Sequence, residues 1–188
     1  MLSNNLILEE KKYIKEKELL TKSDHFKITK DLDNINWLIE TKSIKLKLNL
    51  RRGLTISSLA FKSNEFEPII GTIPQGHFSS IKYGVDYYSG GIILEMPLER
   101  KKVTDLDWVI PIVESGIGYI KISVQIKNEY FVLDKTIKIF ENEDAVELAY
   151  DFNDFERPVG VLRVGNLTFL EGFINEKIKM KNANRRDF

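Results

Sequence analysis

Period-two alternation constrains this chain more than any other feature of its sequence. At Ile44, Leu46, Leu48 and Leu50 apolar side chains alternate with Lys45, Lys47 and Asn49, and the pattern returns at Ile120, Ile122, Val124 and Ile126 against Lys121, Ser123, Gln125 and Lys127. Successive side chains of a strand point to opposite faces, so each segment reads as a strand with one dry and one wet face. Arg51-Arg52-Gly53 supplies a tight turn after the first segment. Residues 54–61 then form a second strand with apolar side chains at both parities, which a bulge or cover on both faces produces. A turn at Asn128-Glu129 leads into a strand over 130–140, an acidic turn over 141–144, and a third strand whose inward face is Val146, Leu148, Tyr150 and Phe152. Three antiparallel strands joined by short turns make a meander. A last pair is expected at 159–164 and 167–173, joined by Gly165-Asn166. No helix-length periodic segment separates any two of these strands, which disfavours a parallel α/β sheet. The expected fold is mainly β, a large antiparallel β-sandwich.

One helix is expected ahead of it. Leu6, Tyr13 and Leu20 stand a heptad apart with Ile7 and Ile14 beside them, which predicts a short amphipathic helix over 5–20. Polar residues 31–36 suit a turn, so 1–36 reads as N-terminal helix and linker and 37–188 as the β-sandwich domain. A chain of 188 residues buries roughly 70% of its extended surface when it folds, so no disulfide or metal staple is required. None is offered in any case by cysteine: the count is zero, which removes disulfides, thiolate metal sites and cysteine nucleophiles together. Lysine plus arginine equals aspartate plus glutamate at 28 each, so bulk charge gives no pull toward nucleic acid. No stretch approaches the roughly 20 apolar residues of a membrane span. Leu6, Ile7 and Leu8 are too short a run for a secretory signal, and the chain reads as cytoplasmic or as a segment of a larger protein.

Several chemistries lack their residues. There is no P-loop, G-x-S-x-G elbow or H-E-x-x-H, and Gly116 to Gly118 is a G-x-G without the third glycine or a following helix. No catalytic set, cofactor or metal site is expected. Asp105 and Asp107 form D-x-D, and Asp151, Asn153, Asp154 and Glu156 form an acidic run, but the ligand and glycine spacing of a calcium loop is absent and both read as solvated turns. Asn166-Leu167-Thr168 matches a glycosylation sequon by chance. The basic tail, Lys177 to Arg186, lacks interleaved aromatics and reads as a frayed end.

The region over 67–118 is where function is expected. It is rich in glycine, proline and aromatics and offers little regular structure to assign, a combination uncommon unless the segment builds or covers a site. Of the two histidines, His25 reads as a surface residue, whereas His77 lies within this region. It either hydrogen-bonds a ligand hydroxyl near its neutral-range titration or caps its loop. Phe78, Tyr83, Tyr87, Tyr88 and Trp108, mixed with Asp86, Ser89 and Glu95, have the composition of a sugar-contacting surface. Aromatic faces cover the C–H patches of a pyranose while carboxylates and hydroxyls bond its hydroxyls. Aromatics also fill β cores, so each of these has a core reading as well. The candidate ligand-binding set is His77, Tyr83, Asp86, Tyr87, Tyr88, Glu95 and Trp108.

Residues 48–61, LNLRRGLTISSLAF, resemble the opening of a galactose mutarotase-like β-supersandwich, and the meander over 119–152 resembles that fold's central strands. VLRVGNLTFLEGF, residues 161–173, is similar to a segment in the C-terminal β domains of glycoside hydrolases, of family 57 and more loosely of family 38. The resemblance implies a supersandwich-like fold, shorter here than in such enzymes, and a carbohydrate-associated role beside a catalytic domain or subunit of a glycosidase. The family 57 catalytic carboxylates belong to a separate barrel that nothing here matches, so a non-catalytic β domain contacting a neutral glycan is expected. The alternatives are a free-standing mutarotase-like epimerase, with His77 and Glu95 or Glu171 as acid and base, and a glycan-binding or protein-interaction module.

Overall fold

The computed structural model describes residues 25–73 and 87–171. In chain order its strands are β1 (Lys27–Lys30), β2 (Asn36–Glu40), β3 (Ile44–Asn49), β4 (Thr55–Phe61), β5 (Pro68–Gly71), β6 (Gly91–Met96), β7 (Lys101–Thr104), β8 (Ile112–Gly116), β9 (Tyr119–Lys127), β10 (Phe131–Phe140), β11 (Val146–Phe155), β12 (Val161–Asn166) and β13 (Thr168–Phe169). They form three sheets, ordered β1-β2-β3-β4-β5-β13, β11-β10-β9-β8 and β12-β6-β7. All the pairings are antiparallel. The 3-10 turns include Leu50–Arg52 and Lys62–Asn64, and none of the described residues is in an α-helix. The chain is mainly β and antiparallel, as the alternation requires.

That alternation builds the core. Ile44, Leu46 and Leu48 of β3 are buried between exposed Lys45 and Lys47, opposite Ile39 and Trp37 of β2. In the second sheet Ile120, Ile122, Val124 and Ile126 of β9 face inward beside Leu133, Ile137 and Ile139 of β10. Both sets belong to one apolar cluster, which Ile92 of β6 joins, so the inner faces of all three sheets share it. Each such side chain contributes about 1.5–3 kcal/mol by leaving water, which makes this layer the main source of stability. The mixed parity of β4 has its cause in a bulge. Lys47 pairs with Ser58 but Leu48 pairs with Ile56, so Ser57 is extra and both Ile56 and Leu59 reach the core side. The turn at Asn128 closes as expected, its Oδ1 accepting the N–H groups of Tyr130 and Phe131 at 2.9 and 3.0 Å.

Four local expectations are corrected. Residues 27–30, placed in a linker, form β1, and Phe26 enters the core, so the boundary at 36 and 37 falls inside a sheet. Four residues flanked by polar turns are too short for period-two reading. The region over 67–118 holds β5 to β8. Its central strand β6 is buried on both faces and therefore does not alternate. The expected hairpin at Gly165-Asn166 is absent. Gly165, at φ 66°, is a bulge within β12, which pairs with β6, while β13 crosses to pair with β5. A positive-φ glycine serves a bulge as readily as a turn. Finally, the acidic run 151–156 lies mostly on β11 instead of in a turn. The helix expected over 5–20 lies outside the described residues, as does the basic tail.

Candidate functional site

The turn after β3 positions the site. Leu50 is buried, the chain makes one 3-10 turn over Leu50–Arg52, and Gly53 closes it at φ 62°. A Cβ at Gly53 would collide with the carbonyl oxygen of Asp105, so only glycine fits. Leu54 follows at φ 56° with its side chain fully buried, a backbone state that a bulky residue keeps only when its surroundings over-determine it. The loop leaving β7 lies along this turn. Gly53 N–H donates to the Asp107 carbonyl at 2.7 Å and Val109 N–H donates to the Leu50 carbonyl at 3.0 Å. Trp108 stands between those two anchors, itself 54% exposed while Val109 is in the core.

Tyr88 borders the same turn. Its half-buried ring packs on Ile93 and Leu106, and the Arg52 guanidinium lies 6.0 Å from the ring centroid. Ile93 and Glu95 share one face of β6, and Arg163 of β12 is the cross-strand partner of Ile93 on that face. Glu95 therefore lies beside the Tyr88 platform. Its Oε1 is 2.9 Å from Lys102 Nζ and its Oε2 accepts from Arg163 Nη2 at 2.8 Å. The hydrogen bond from Lys102 and the two cationic charges hold its carboxyl below the ordinary 4.5, against the opposing pull of burial. Glu95 is thus a fixed carboxylate at neutral pH, an acceptor and an orienting group rather than a proton donor.

Beneath the surface lies a group that the motif reading missed. Lys135, at an inward position of β10 between Leu133 and Ile137, is 1% exposed and donates to the Gly53 carbonyl at 2.7 Å and to Asp105 Oδ2 at 3.0 Å. Asp105 Oδ1 accepts the Ile92 N–H at 2.7 Å. The D-x-D expectation is corrected here: Asp107 is exposed, but Asp105 is fully buried and paired. Burial pulls the Lys135 pKa down and the Asp105 carboxylate opposes that pull. Tyr150 of β11 completes the group, its hydroxyl donating to the Gly90 carbonyl at 2.9 Å and its ring 5.8 Å from Lys135 Nζ. Burial first, then the Asp105 charge, push the phenol above its ordinary range. The signal was available, since a lysine on the dry face of a core strand is almost never solvated.

Of the predicted ligand-binding residues, the structure brings Tyr88 and Glu95 to one face and sets Trp108 on the adjoining loop. Tyr87 is half-buried next to Tyr88. His77, Tyr83 and Asp86 lie outside the described residues, as does Phe78. Ser89 is buried and structural, accepting the Thr168 N–H at 2.9 Å and donating to the Gly71 carbonyl. His25 is a surface residue whose Nδ1 lies 2.9 Å from Glu141 Oε1. Among the described residues no group of three or more histidines or carboxylates could hold a metal ion, and no helix is long and apolar enough to cross a membrane. The amide nitrogen of Asn166 is buried, which closes its sequon to modification in the folded chain. Compared with known proteins, the chain matches no family model, no curated protein and no solved structure.

Proposed function

We propose that the chain is a β-sandwich of the galactose mutarotase-like supersandwich type and serves as a non-catalytic carbohydrate-associated domain. In this reading it packs beside the catalytic domain or subunit of a cytoplasmic glycosidase and presents an aromatic surface to a neutral glycan. The observation that carries the reading is Trp108. A tryptophan 54% exposed on a loop whose flanking residues are both hydrogen-bonded to the Leu50–Gly53 turn is a rigid apolar platform, the kind of group that covers a pyranose face. Tyr88, which borders that turn, supplies the second ring, and Glu95, Lys102 and Arg163 supply polar groups for hydroxyls. Both oxygens of the Glu95 carboxylate are engaged, by Lys102 and Arg163, which makes it a poor base for the epimerase alternative and favours the binding reading.

Affinity electrophoresis of the purified chain in gels containing soluble α-glucan or mannan tests this. The chain is expected to be retarded, and Trp108→Ala to weaken retardation about tenfold or more at an unchanged melting temperature. Reducing-sugar release is expected to be nil, and anomeric exchange of glucose and galactose followed by NMR is expected to be unaccelerated. No retardation by any glycan removes the binding reading, and turnover in either assay removes the non-catalytic one.

A further inference from the structure

One ammonium group touches all three sheets. Lys135 comes from β10 of the four-stranded sheet, Gly53 from the β3–β4 connection of the six-stranded sheet, and Asp105 from the exit of β7 in the three-stranded sheet. The two groups it holds belong to the two segments that carry the aromatic surface. Gly53 closes the turn that carries Arg52 against Tyr88, and Asp105 begins the loop that carries Trp108. We propose that the buried Lys135–Asp105 pair is the positioning device of this surface: it clasps turn and loop together, so that its loss displaces Trp108 while the sheets stay folded.

The argument rests on direction. Apolar side chains of matching volume fill a core equally well and are often neutral or stabilising in place of a buried ion pair, so core filling does not account for this lysine. What apolar contacts lack is a fixed geometry. Lys135 Nζ donates at 2.7 and 3.0 Å to two oxygens from different sheets, and the second carboxylate oxygen of Asp105 takes the Ile92 N–H at 2.7 Å. These three bonds fix where the loop starts relative to the turn. The two backbone bonds at Asp107 and Val109 then fix Trp108 relative to both. Lys135 and Asp105 do not reach the surface themselves, so they act through Trp108 and Tyr88 as positioning residues. The inference takes its ligand from the glycan reading, but the clasp itself is read without any glycan.

The test uses the full chain labelled with 5-fluorotryptophan. There are two tryptophans, and Trp37 is buried in the six-stranded sheet, so its fluorine resonance reports the fold while that of Trp108 reports the surface. In Lys135→Met/Asp105→Leu, which removes both charges, the Trp37 resonance is expected to stay in place. The Trp108 resonance is expected to shift or split, with glycan retardation about tenfold weaker. An unmoved Trp108 resonance in that folded variant overturns the proposal. If the double variant does not fold, Asp105→Asn, which keeps the volume and the acceptor for Ile92, is read in the same way. Unfolding of both variants also overturns the proposal, because the clasp would then be a requirement of the sheets. Failure of the wild-type chain to bind any glycan removes the functional reading, and the fluorine spectrum still decides the clasp.

Discussion

Gly53 stands where two constraints meet. Its φ of 62° is in the left-handed region, and the position of its missing Cβ is taken by the Asp105 carbonyl oxygen, which is itself engaged by the Asp107 N–H at 2.9 Å and has little room to retreat. Gly53→Ala therefore combines a left-handed strain of about 1–2 kcal/mol with a steric displacement of the loop, about 3 kcal/mol in sum. For a domain of this size that lowers the melting temperature by roughly 10 °C, read by circular dichroism. A loss of only a degree or two would mean that the loop at Asp105 yields freely. The glycine was legible in the sequence as part of an R-R-G turn, but its partner was not, because Asp105 is 52 residues further along (105 minus 53) and only the packing of β7 against the turn brings it near. The partners of Lys135 were hidden for a related reason. A lysine flanked by alternating apolar residues breaks a pattern at one position only, and its two acceptors lie 82 and 30 residues away.

At the scale of elements, the strands differ in how strongly their own residues announce them. β3 and β9 have one face in the core and one in water, and period two marks them cleanly. β6 is buried on nearly every residue and β7 is half-buried throughout, so neither has a contrast to read. The edge strand β8 shows a different departure. Ile112 is 54% exposed on the strand that ends its sheet among the described residues, preceded by exposed Trp108 and Ile110. An edge that carries exposed apolar side chains is open to pairing with another chain. Ile112→Lys is expected to raise the concentration at which the protein begins to self-associate, measured by light scattering, while changing stability by less than about 0.5 kcal/mol. A large loss of stability would show instead that Ile112 packs against something the folded chain needs.

At the scale of the whole molecule, the β12-β6-β7 sheet contributes to acid stability through the charge held at Glu95. The Lys102 hydrogen bond, then the Lys102 and Arg163 charges, place the Glu95 carboxyl below its ordinary 4.5 in the folded chain. A depressed carboxyl is protonated first in the unfolded state as pH falls. Its contribution is therefore complete above pH 4.5 and is lost as the pH drops through the lower folded value. Because a third of the Glu95 side chain is exposed, solvent screens the ion pairs and the contribution is below about 1 kcal/mol. Melting temperature plotted against pH is expected to fall less steeply below pH 4.5 for Glu95→Gln than for the wild-type chain, and parallel curves would sink the assignment.

What the sequence determined by itself was the class of fold, the meander over β9, β10 and β11, and the turns at Gly53 and Asn128. Each depends on side chains a few residues apart, which alternation and turn chemistry expose directly. It also singled out Tyr88, Glu95 and Trp108 by composition. Only the tertiary structure decided that Trp108 faces solvent, that β12 and β13 part company at the Gly165 bulge, and that Lys135 joins Gly53 to Asp105. The physical reason is that burial and ion pairing are properties of which sheets meet, and no local pattern along the chain encodes which surfaces come together.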